Sequence, residues 1–153
     1  VWVGLLNGTV DVIGTDHAPH MLEEKAQPYP QSPSGMPGVQ TLVPLMFDLV
    51  NQKRLTLERA VELLCHTPAK IYKPFSKGHL KVGYDADITL IDMKKQKTIE
   101  NSWIKSKCGW TPYDQVNVSA WPVATIVGGH VVMQDDIILG EPQGQMIEFE
   151  KRS

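Results

Sequence analysis

The chain has 153 residues, about the length of one domain. Its 42% hydrophobic and 21% charged residues are typical of a globular protein, and its apolar runs are too short to cross a bilayer. Because the net charge is -2, we expect neither nucleic acid nor an anionic membrane surface as a partner.

Two further features are the start of the chain and its two cysteines. It begins at Val1 in apolar sequence without an initiator methionine, whereas natural N-termini are usually polar and loosely held. We therefore expect Val1 to be an internal cut point of a longer polypeptide. Cys65 and Cys108 lie far apart and outside any metal-type spacing. A disulfide between them stays open, but two isolated thiols favour a reducing cytosol, so we predict a cytoplasmic protein.

The N-terminal part predicts a helix end, a strand and a long loop, in that order. Residues 1–6 have the character of a helix end, followed by Asn7-Gly8 as a stop signal. Residues 9–15 are largely apolar and predict a short, buried strand. Residues 21–38 are rich in proline and glycine, which predicts a long irregular loop of the kind that often carries function.

Helices are predicted next. Residues 39–51 carry apolar side chains at helical spacing but include Pro44, so we expect a kink or a helix that starts near Pro44. Thr56 is a good N-cap for a second helix over residues 57–64. Thr67-Pro68 predicts a short third helix with proline at its first position.

After Pro74 the pattern changes to alternation and predicts a β module. Short strands separated by turn residues are expected at 88–92, 123–127, 129–133 and 137–139. The chain is therefore predicted to be of the α/β class, with a strand, a loop and helices followed by this module.

The residues that suggest chemistry follow the predicted strand 9–15. Asp16 comes directly after it, with His17 and His20 close by and Pro19 stiffening the turn between them. Barrel enzymes place catalytic groups at the C-terminal ends of their strands. An aspartate that caps a turn beside surface histidines is nevertheless the commoner outcome of such a pattern. The spacing alone therefore leaves a structural and a catalytic interpretation open.

An ordered series of motifs resembles the dihydroorotases of the amidohydrolase superfamily. The segment Gly14-Thr15-Asp16-His17-Ala18-Pro19-His20 is similar to the motif of their eighth barrel strand. Further segments resemble, in family order, the substrate loop, the helix after the barrel, the entry into a small β domain and the closing elements: 33–41, 66–71, 78–87, 110–113 and 128–132.

The resemblance implies an architecture. It makes the chain the C-terminal part of a (β/α)8 TIM-type barrel, with the last strand and helices, plus part of a small β-sandwich domain. On this basis residues 1–73 are predicted to end the barrel of a metal-dependent hydrolase. Residues 74–153 are predicted to form the C-terminal part of the small β domain, with a loop packing back on the barrel.

The resemblance also implies residue roles. Asp16 matches a metal ligand and general base, which accepts a proton as the metal-activated nucleophile attacks and delivers it to the departing ring nitrogen. His20 matches a residue that holds the substrate carboxylate. Ser34 and Gly35 match loop positions whose backbone touches the pyrimidine ring, and glycine allows such a close approach. The implied cofactor is zinc, as one or two ions.

The remaining site groups of the family have no match in this chain. These are the first His-x-His pair, a carboxylated lysine, two further histidines, and the arginine and asparagine that bind substrate. A catalytic zinc needs about three protein ligands, and Asp16 is one. We therefore expect the other ligands to come from a missing N-terminal part of the barrel, and this chain alone to be incomplete and inactive. The resemblance further implies a homo-oligomer and a small-molecule substrate.

Three functional hypotheses follow. The first is a dihydroorotase, which interconverts dihydroorotate and carbamoyl aspartate in de novo pyrimidine synthesis. The second is another cyclic amidohydrolase, such as an allantoinase or hydantoinase; His20 discriminates, because a ring carboxylate requires a cationic or hydrogen-bonding partner. The third is a non-catalytic dihydroorotase-like subunit that binds a partner such as aspartate transcarbamoylase. Retention of Asp16 and His20 argues against the third, but the absence of the upstream site residues leaves it open.

Overall fold

The computed structural model describes residues 1–142 and 144–149. Contacts divide the chain into two compact units, each assembled from separate stretches. The first contains Val1–Ile13, Gln52–Asp92 and Pro122–Ser153, and the second contains Gly14–Asn51 and Met93–Trp121. These units interleave along the chain, and the predicted domain boundary between residues 73 and 74 stays a prediction.

The secondary structure is mixed, which confirms the α/β class. The helices are α1 (Trp2–Leu6), α2 (Leu22–Lys25), α3 (Leu42–Asn51), α4 (Leu57–Val61) and α5 (Thr67–Tyr72), with a π-helical turn at Glu62–His66. The strands are β1 (Ile88–Asp92), β2 (Lys97–Thr98), β3 (Asn117–Val118), β4 (Trp121–Val127), β5 (His130–Gln134) and β6 (Ile137–Ile138), with a 3-10 turn at Asn101–Trp103.

The two helices predicted after Thr56 form one continuous helical run. The Thr56 side chain accepts a hydrogen bond from the Arg59 N–H at 3.1 Å, which confirms the predicted N-cap. Where α4 gives way to the π-helical turn, the Thr67 N–H reaches back five residues to the Glu62 carbonyl. Pro68 has no N–H to donate, and the wider turn before it allows the run to continue into α5.

The segment predicted as a buried strand, residues 9–15, is exposed or half-buried and forms no ladder within the described residues. Its N–H groups bond elsewhere: Val10 donates to Gly4 O at 2.9 Å, and Ile13 to Leu63 O at 3.3 Å. The Arg59 guanidinium binds the Val10 carbonyl. The described residues therefore do not form the predicted strand, because a strand is completed by a neighbouring strand and none of the described residues supplies one for this segment.

In the first unit, hydrogen bonds place the strands in the order β1-β4-β5-β6, and β4 pairs antiparallel with β5. These strands agree with the predictions from alternation, to within two residues at their ends. The turn between β4 and β5 is tied to the residues before β1, since Gly128 N donates to Asp87 Oδ1 at 2.7 Å. The Lys77 ammonium, 2.6 Å from Asp87 Oδ2, and the Gly128 N–H lower the pKa of Asp87.

In the second unit, β2 and β3 form an antiparallel pair that the sequence did not predict. The core consists of Ile99, Val118 and Trp121, which are almost fully buried, with partly buried neighbours Leu45, Trp103 and Tyr113. Helix α3 begins two residues before Pro44, which lies in the first turn, where an N–H has no partner within the helix. At its other end, Asn51 Nδ2 donates to Met93 O and Ser119 O, both at 2.7 Å.

Two observations complete the description of the fold. Both Cys65 and Cys108 are free thiols. Among the described residues, the helices are too short and too polar for any of them to span a bilayer.

Two glycines of the residue 78–87 motif provide a test of packing in the first unit. Gly78 and Gly83 both have left-handed backbones, with φ of 87° and 91°. A Cβ at Gly78 would overlap the Cβ of Ala69, whereas a Cβ at Gly83 would meet no atom within 4 Å. Gly83→Ala should therefore lose about 1–2 kcal/mol from backbone strain alone, and Gly78→Ala about 1–3 kcal/mol more from overpacking.

Urea unfolding of the two variants measures this difference in the free energy of unfolding. Equal losses would show that α5 can shift away from residue 78 without cost.

Candidate active site

Asp16 has an unusual backbone conformation. Its side chain is exposed, and its backbone is left-handed with φ of 44°. This conformation costs most residues about 1–2 kcal/mol, and aspartate is among the few that visit it readily. Asp16 connects the 9–15 segment to the irregular residues that include His17 and His20.

A short parallel contact attaches the later part of the loop to the residues that follow Asp16. His17 and Met36 form a parallel bridge, and Ala18 N donates to Met36 O at 3.1 Å. The His17 side chain extends this contact, because its Nδ1 accepts hydrogen bonds from Gly38 N at 3.1 Å and Val39 N at 3.3 Å. Nδ1 can accept these bonds only through its lone pair, so the ring proton must be on Nε2.

Glycine makes this close approach possible. At Gly35, φ is +99° and a Cβ would lie 2.8 Å from both the Cβ and the carbonyl oxygen of Ala18. At Gly38, a Cβ would lie 3.2 Å from the carbonyl oxygen of Thr15. The backbone of the loop therefore lies directly against residues 15–18, and any side chain at position 35 would push it away.

The opposite side of the loop is held by Lys25, the last residue of α2. Its ammonium donates to Pro33 O at 2.6 Å and to Gly35 O at 3.1 Å. The Ser32 hydroxyl donates to the carbonyl of Lys25 at 3.0 Å. Ser34, between the two bound carbonyls, has an exposed side chain.

His20 is half-buried and fixed mainly through its backbone. The Trp110 indole N–H donates to the His20 carbonyl at 2.7 Å. The imidazole Nδ1 lies 3.5 Å from Glu24 Oε2, and the side chains of this pair are 35% and 56% exposed. A pair so open to solvent contributes little to stability, which leaves the His20 ring available to a ligand.

The donor atoms around Asp16 can supply only part of a metal site. Within residues 1–142 and 144–149, no three His, Cys, Asp or Glu side chains lie close enough together to hold a metal ion. The exposed Asp16 carboxylate can offer a metal at most two oxygens, while the Nδ1 of its neighbour His17 already accepts backbone hydrogen bonds. These residues therefore suit a site to which this chain contributes one carboxylate and other residues contribute the rest.

The structure brings the predicted site residues into one loop system. Gly35 contacts Ala18, two residues after Asp16, and Ser34 precedes Gly35. His20 follows Asp16 by four residues, and the roles of all four residues remain predictions. The sequence interpretation assigned no role to Lys25 or Gly38, and it assigned Trp110 to packing. Their partners lie 8 to 90 residues away along the chain, so local pattern carries no signal for these contacts.

Comparison with known proteins decides the family. The model of the amidohydrolase family matches residues 2–132. The chain belongs to the amidohydrolase family. Among the relatives of this chain, the dihydroorotase of Pyrococcus furiosus is 44% identical over 90% of this chain and 32% of its own length. The dihydroorotase of Pyrococcus abyssi is 40% identical over 96% of this chain and 35% of its own. The chain thus spans about a third of the relatives it matches, and the predicted resemblance is confirmed.

Solved structures of cyclic-amide hydrolases have the same fold over this region. The L-hydantoinase (dihydropyrimidinase) from Arthrobacter aurescens superposes with a TM-score of 0.86 and 36% identity, over 92% of this chain and 32% of that one. A D-hydantoinase superposes with a TM-score of 0.85 and 28% identity over the same shares.

The His17 contact can be tested without an activity assay. His17→Ala removes the acceptor and leaves the N–H groups of Gly38 and Val39 without it, so their amide hydrogen exchange should accelerate by about tenfold. His17→Asn can place a carbonyl oxygen where Nδ1 lies and should retain much of the protection. Mass-spectrometric exchange on peptides covering residues 35–41 measures this, and identical exchange in wild type and His17→Ala would exclude the contact.

Proposed function

We propose that this chain is the C-terminal part of a dihydroorotase, a (β/α)8 barrel enzyme with a small β-sandwich domain that interconverts dihydroorotate and carbamoyl aspartate in de novo pyrimidine synthesis. The observation that carries the proposal is the attachment of the 33–39 loop beside Asp16, through the bridge between His17 and Met36. The 40–44% sequence identity to dihydroorotases supports dihydroorotate as the proposed substrate. The cofactor proposed is zinc, as one or two ions.

Asp16 has a double role in this proposal. Zinc, when bound, lowers the pKa of water and polarises a carbonyl. The Asp16 carboxylate provides one metal ligand and takes a proton from the attacking water as the water oxygen bonds to the ring carbonyl carbon. It then delivers that proton to the ring nitrogen as the carbon–nitrogen bond breaks, so the ring opens to a neutral carbamoyl group and a carboxylic acid, which loses its remaining proton to solvent and becomes a carboxylate. The exposure of Asp16 is compatible with access by water and substrate.

His20 and the loop are proposed to bind the substrate. A half-buried imidazole whose backbone is fixed by Trp110 can offer an N–H to the ring carboxylate of dihydroorotate. The backbone at Ser34 and Gly35 can meet the polar edge of the ring, since Gly35 adds no side-chain bulk. Both groups bind and orient, while the proton transfers belong to Asp16.

The remaining parts of the enzyme are proposed to lie outside this chain. Asp16 alone cannot hold zinc tightly, so the other ligands would come from an N-terminal part of the barrel. A homo-oligomer in the cytoplasm remains the expected form. Aspartate transcarbamoylase is included in the proposal as a protein partner.

A hydantoinase is the second candidate, favoured by the TM-score of 0.86 with the Arthrobacter aurescens L-hydantoinase. Hydantoin and dihydrouracil lack the ring carboxylate that His20 is proposed to bind. Turnover of these rings by the wild-type enzyme at a higher kcat/KM than dihydroorotate would select this alternative.

The role of Asp16 predicts a severe loss of activity on substitution. In the complete enzyme, Asp16→Asn should lower kcat by about a thousandfold or more, because the amide cannot accept the proton. Asparagine also tolerates a left-handed backbone, so the conformation at position 16 should be retained. Asp11→Asn removes a carboxylate from an exposed position in the preceding segment and serves as the control. Activity of Asp16→Asn within a few-fold of wild type would refute the assignment.

The role of His20 predicts a substrate-specific loss. His20→Ala should raise the KM for dihydroorotate by about 10- to 150-fold, equivalent to about 1.5–3 kcal/mol for a hydrogen bond to a charged group. Zinc content should not change, and any turnover of dihydrouracil should be unaffected. His130→Ala, an exposed histidine in the other unit, controls for loss of an imidazole. Equal losses on both rings would show that His20 does not recognise the carboxylate.

A further inference from the structure

The Lys25 ammonium donates hydrogen bonds to two carbonyl groups of the loop. Lysine ammonium groups are strongly hydrated and normally extend into water. The Lys25 side chain is instead half-buried, and its Nζ donates to Pro33 O at 2.6 Å and Gly35 O at 3.1 Å. Both acceptors are uncharged backbone groups, so this is not an ordinary surface ion pair.

The hydrogen bonds of Lys25 span residues 32–35 of the loop. Besides the two bonds of the ammonium, the Lys25 carbonyl accepts from the Ser32 hydroxyl at 3.0 Å. The loop is thus held by one residue at positions 32, 33 and 35. Lys25 itself is placed by α2, whose first turn is closed by a hydrogen bond from Met21 N to Glu24 Oε2 at 2.8 Å.

This arrangement fixes the direction of a peptide group. The Pro33–Ser34 peptide is trans and planar, so its N–H points opposite to its carbonyl. Because the Pro33 carbonyl points toward Lys25, the Ser34 N–H points away from Lys25. Across the described residues this N–H meets no hydrogen-bond acceptor. A donor that is oriented and unused in the protein is available to a ligand.

We propose that Lys25 is a positioning residue for substrate binding. It fixes the path of residues 33–35 so that the Ser34 N–H is presented to a polar atom of the ring substrate, while Gly35 stays against Ala18. This inference rests on the proposed function for the identity of the ring. Lys25 itself contacts backbone and does not take part in the chemical step.

The test compares Lys25→Met with Lys25→Arg and Lys107→Met in the complete, zinc-loaded enzyme. Methionine keeps the apolar stem and removes the donors, whereas arginine keeps charge and donors. Lys107 is exposed in the same unit, so Lys107→Met controls for loss of one positive charge. Lys25→Met should raise the KM for dihydroorotate by about tenfold, with kcat within about threefold. Lys25→Arg should recover part of that loss, and Lys107→Met should resemble wild type.

A purely structural role would give a different result. It would reduce the fraction of active enzyme, and therefore the apparent kcat and zinc content, without moving KM. That outcome, or equal KM values for Lys25→Met and wild type, would overturn the inference.

A second measurement separates this inference from the proposed function. Hydrogen exchange of peptides covering residues 31–37 should accelerate in Lys25→Met relative to wild type and Lys107→Met, whatever ring the enzyme opens. If the wild type opens hydantoin but not dihydroorotate, the proposed function fails, and the KM comparison is then made with hydantoin. Unchanged exchange in Lys25→Met would overturn the positioning role even if dihydroorotate is the substrate.

Discussion

The candidate site depends on the short parallel contact between residues 16–18 and residues 35–38. A single bridge, that between His17 and Met36, joins two segments that are otherwise irregular. A bridge of this length is weak by itself, since a ladder gains stability from repeated pairs. Here it is reinforced from one side by the His17 ring and from the other by the Lys25 ammonium. The loop is therefore held on two sides by side chains that precede it in sequence.

The hydrogen bonds of His17 and Lys25 also explain how the loop keeps one conformation without regular secondary structure. Proline and glycine limit the helical and strand conformations available to residues 28–38, so the backbone polar groups of the loop need other partners. Lysine and histidine side chains supply part of that hydrogen bonding. The loop is therefore ordered by side-chain hydrogen bonds in place of a regular backbone pattern.

Local features were predictable from the sequence, and contacts distant in sequence were not. Alternation over residues 123–127 and 129–133 predicts β4 and β5, because a hairpin is determined by neighbouring residues. Thr56 predicts its own cap for the same reason. The 9–15 segment has the composition of a buried strand, but pairing depends on neighbours that composition does not reveal. β2 and β3 have two residues each, too few to display a period.

The candidate site likewise combines local features that the sequence predicts with distant contacts that it does not. Asp16 and His20 could be proposed because they stand in one short motif beside a predicted strand end. Their structural partners could not: Trp110 lies 90 residues from His20, and Lys25 reaches a turn whose path no propensity specifies. Resemblance to known motifs located the loop, but it did not reveal what holds it.

The contacts of Gln40 have a consequence for exchanging loops between related enzymes. Its side-chain amide donates to Trp103 O and its carbonyl accepts from Lys105 N, both at 2.8 Å. A chimera that transplants residues 17–41 from a relative with another ring preference would carry the His17 and Lys25 contacts with it. It would leave behind the acceptor at position 103, the donor at position 105 and the indole of Trp110. Changing specificity by grafting would therefore require residues 103–110 to move with the loop as a second, discontinuous module.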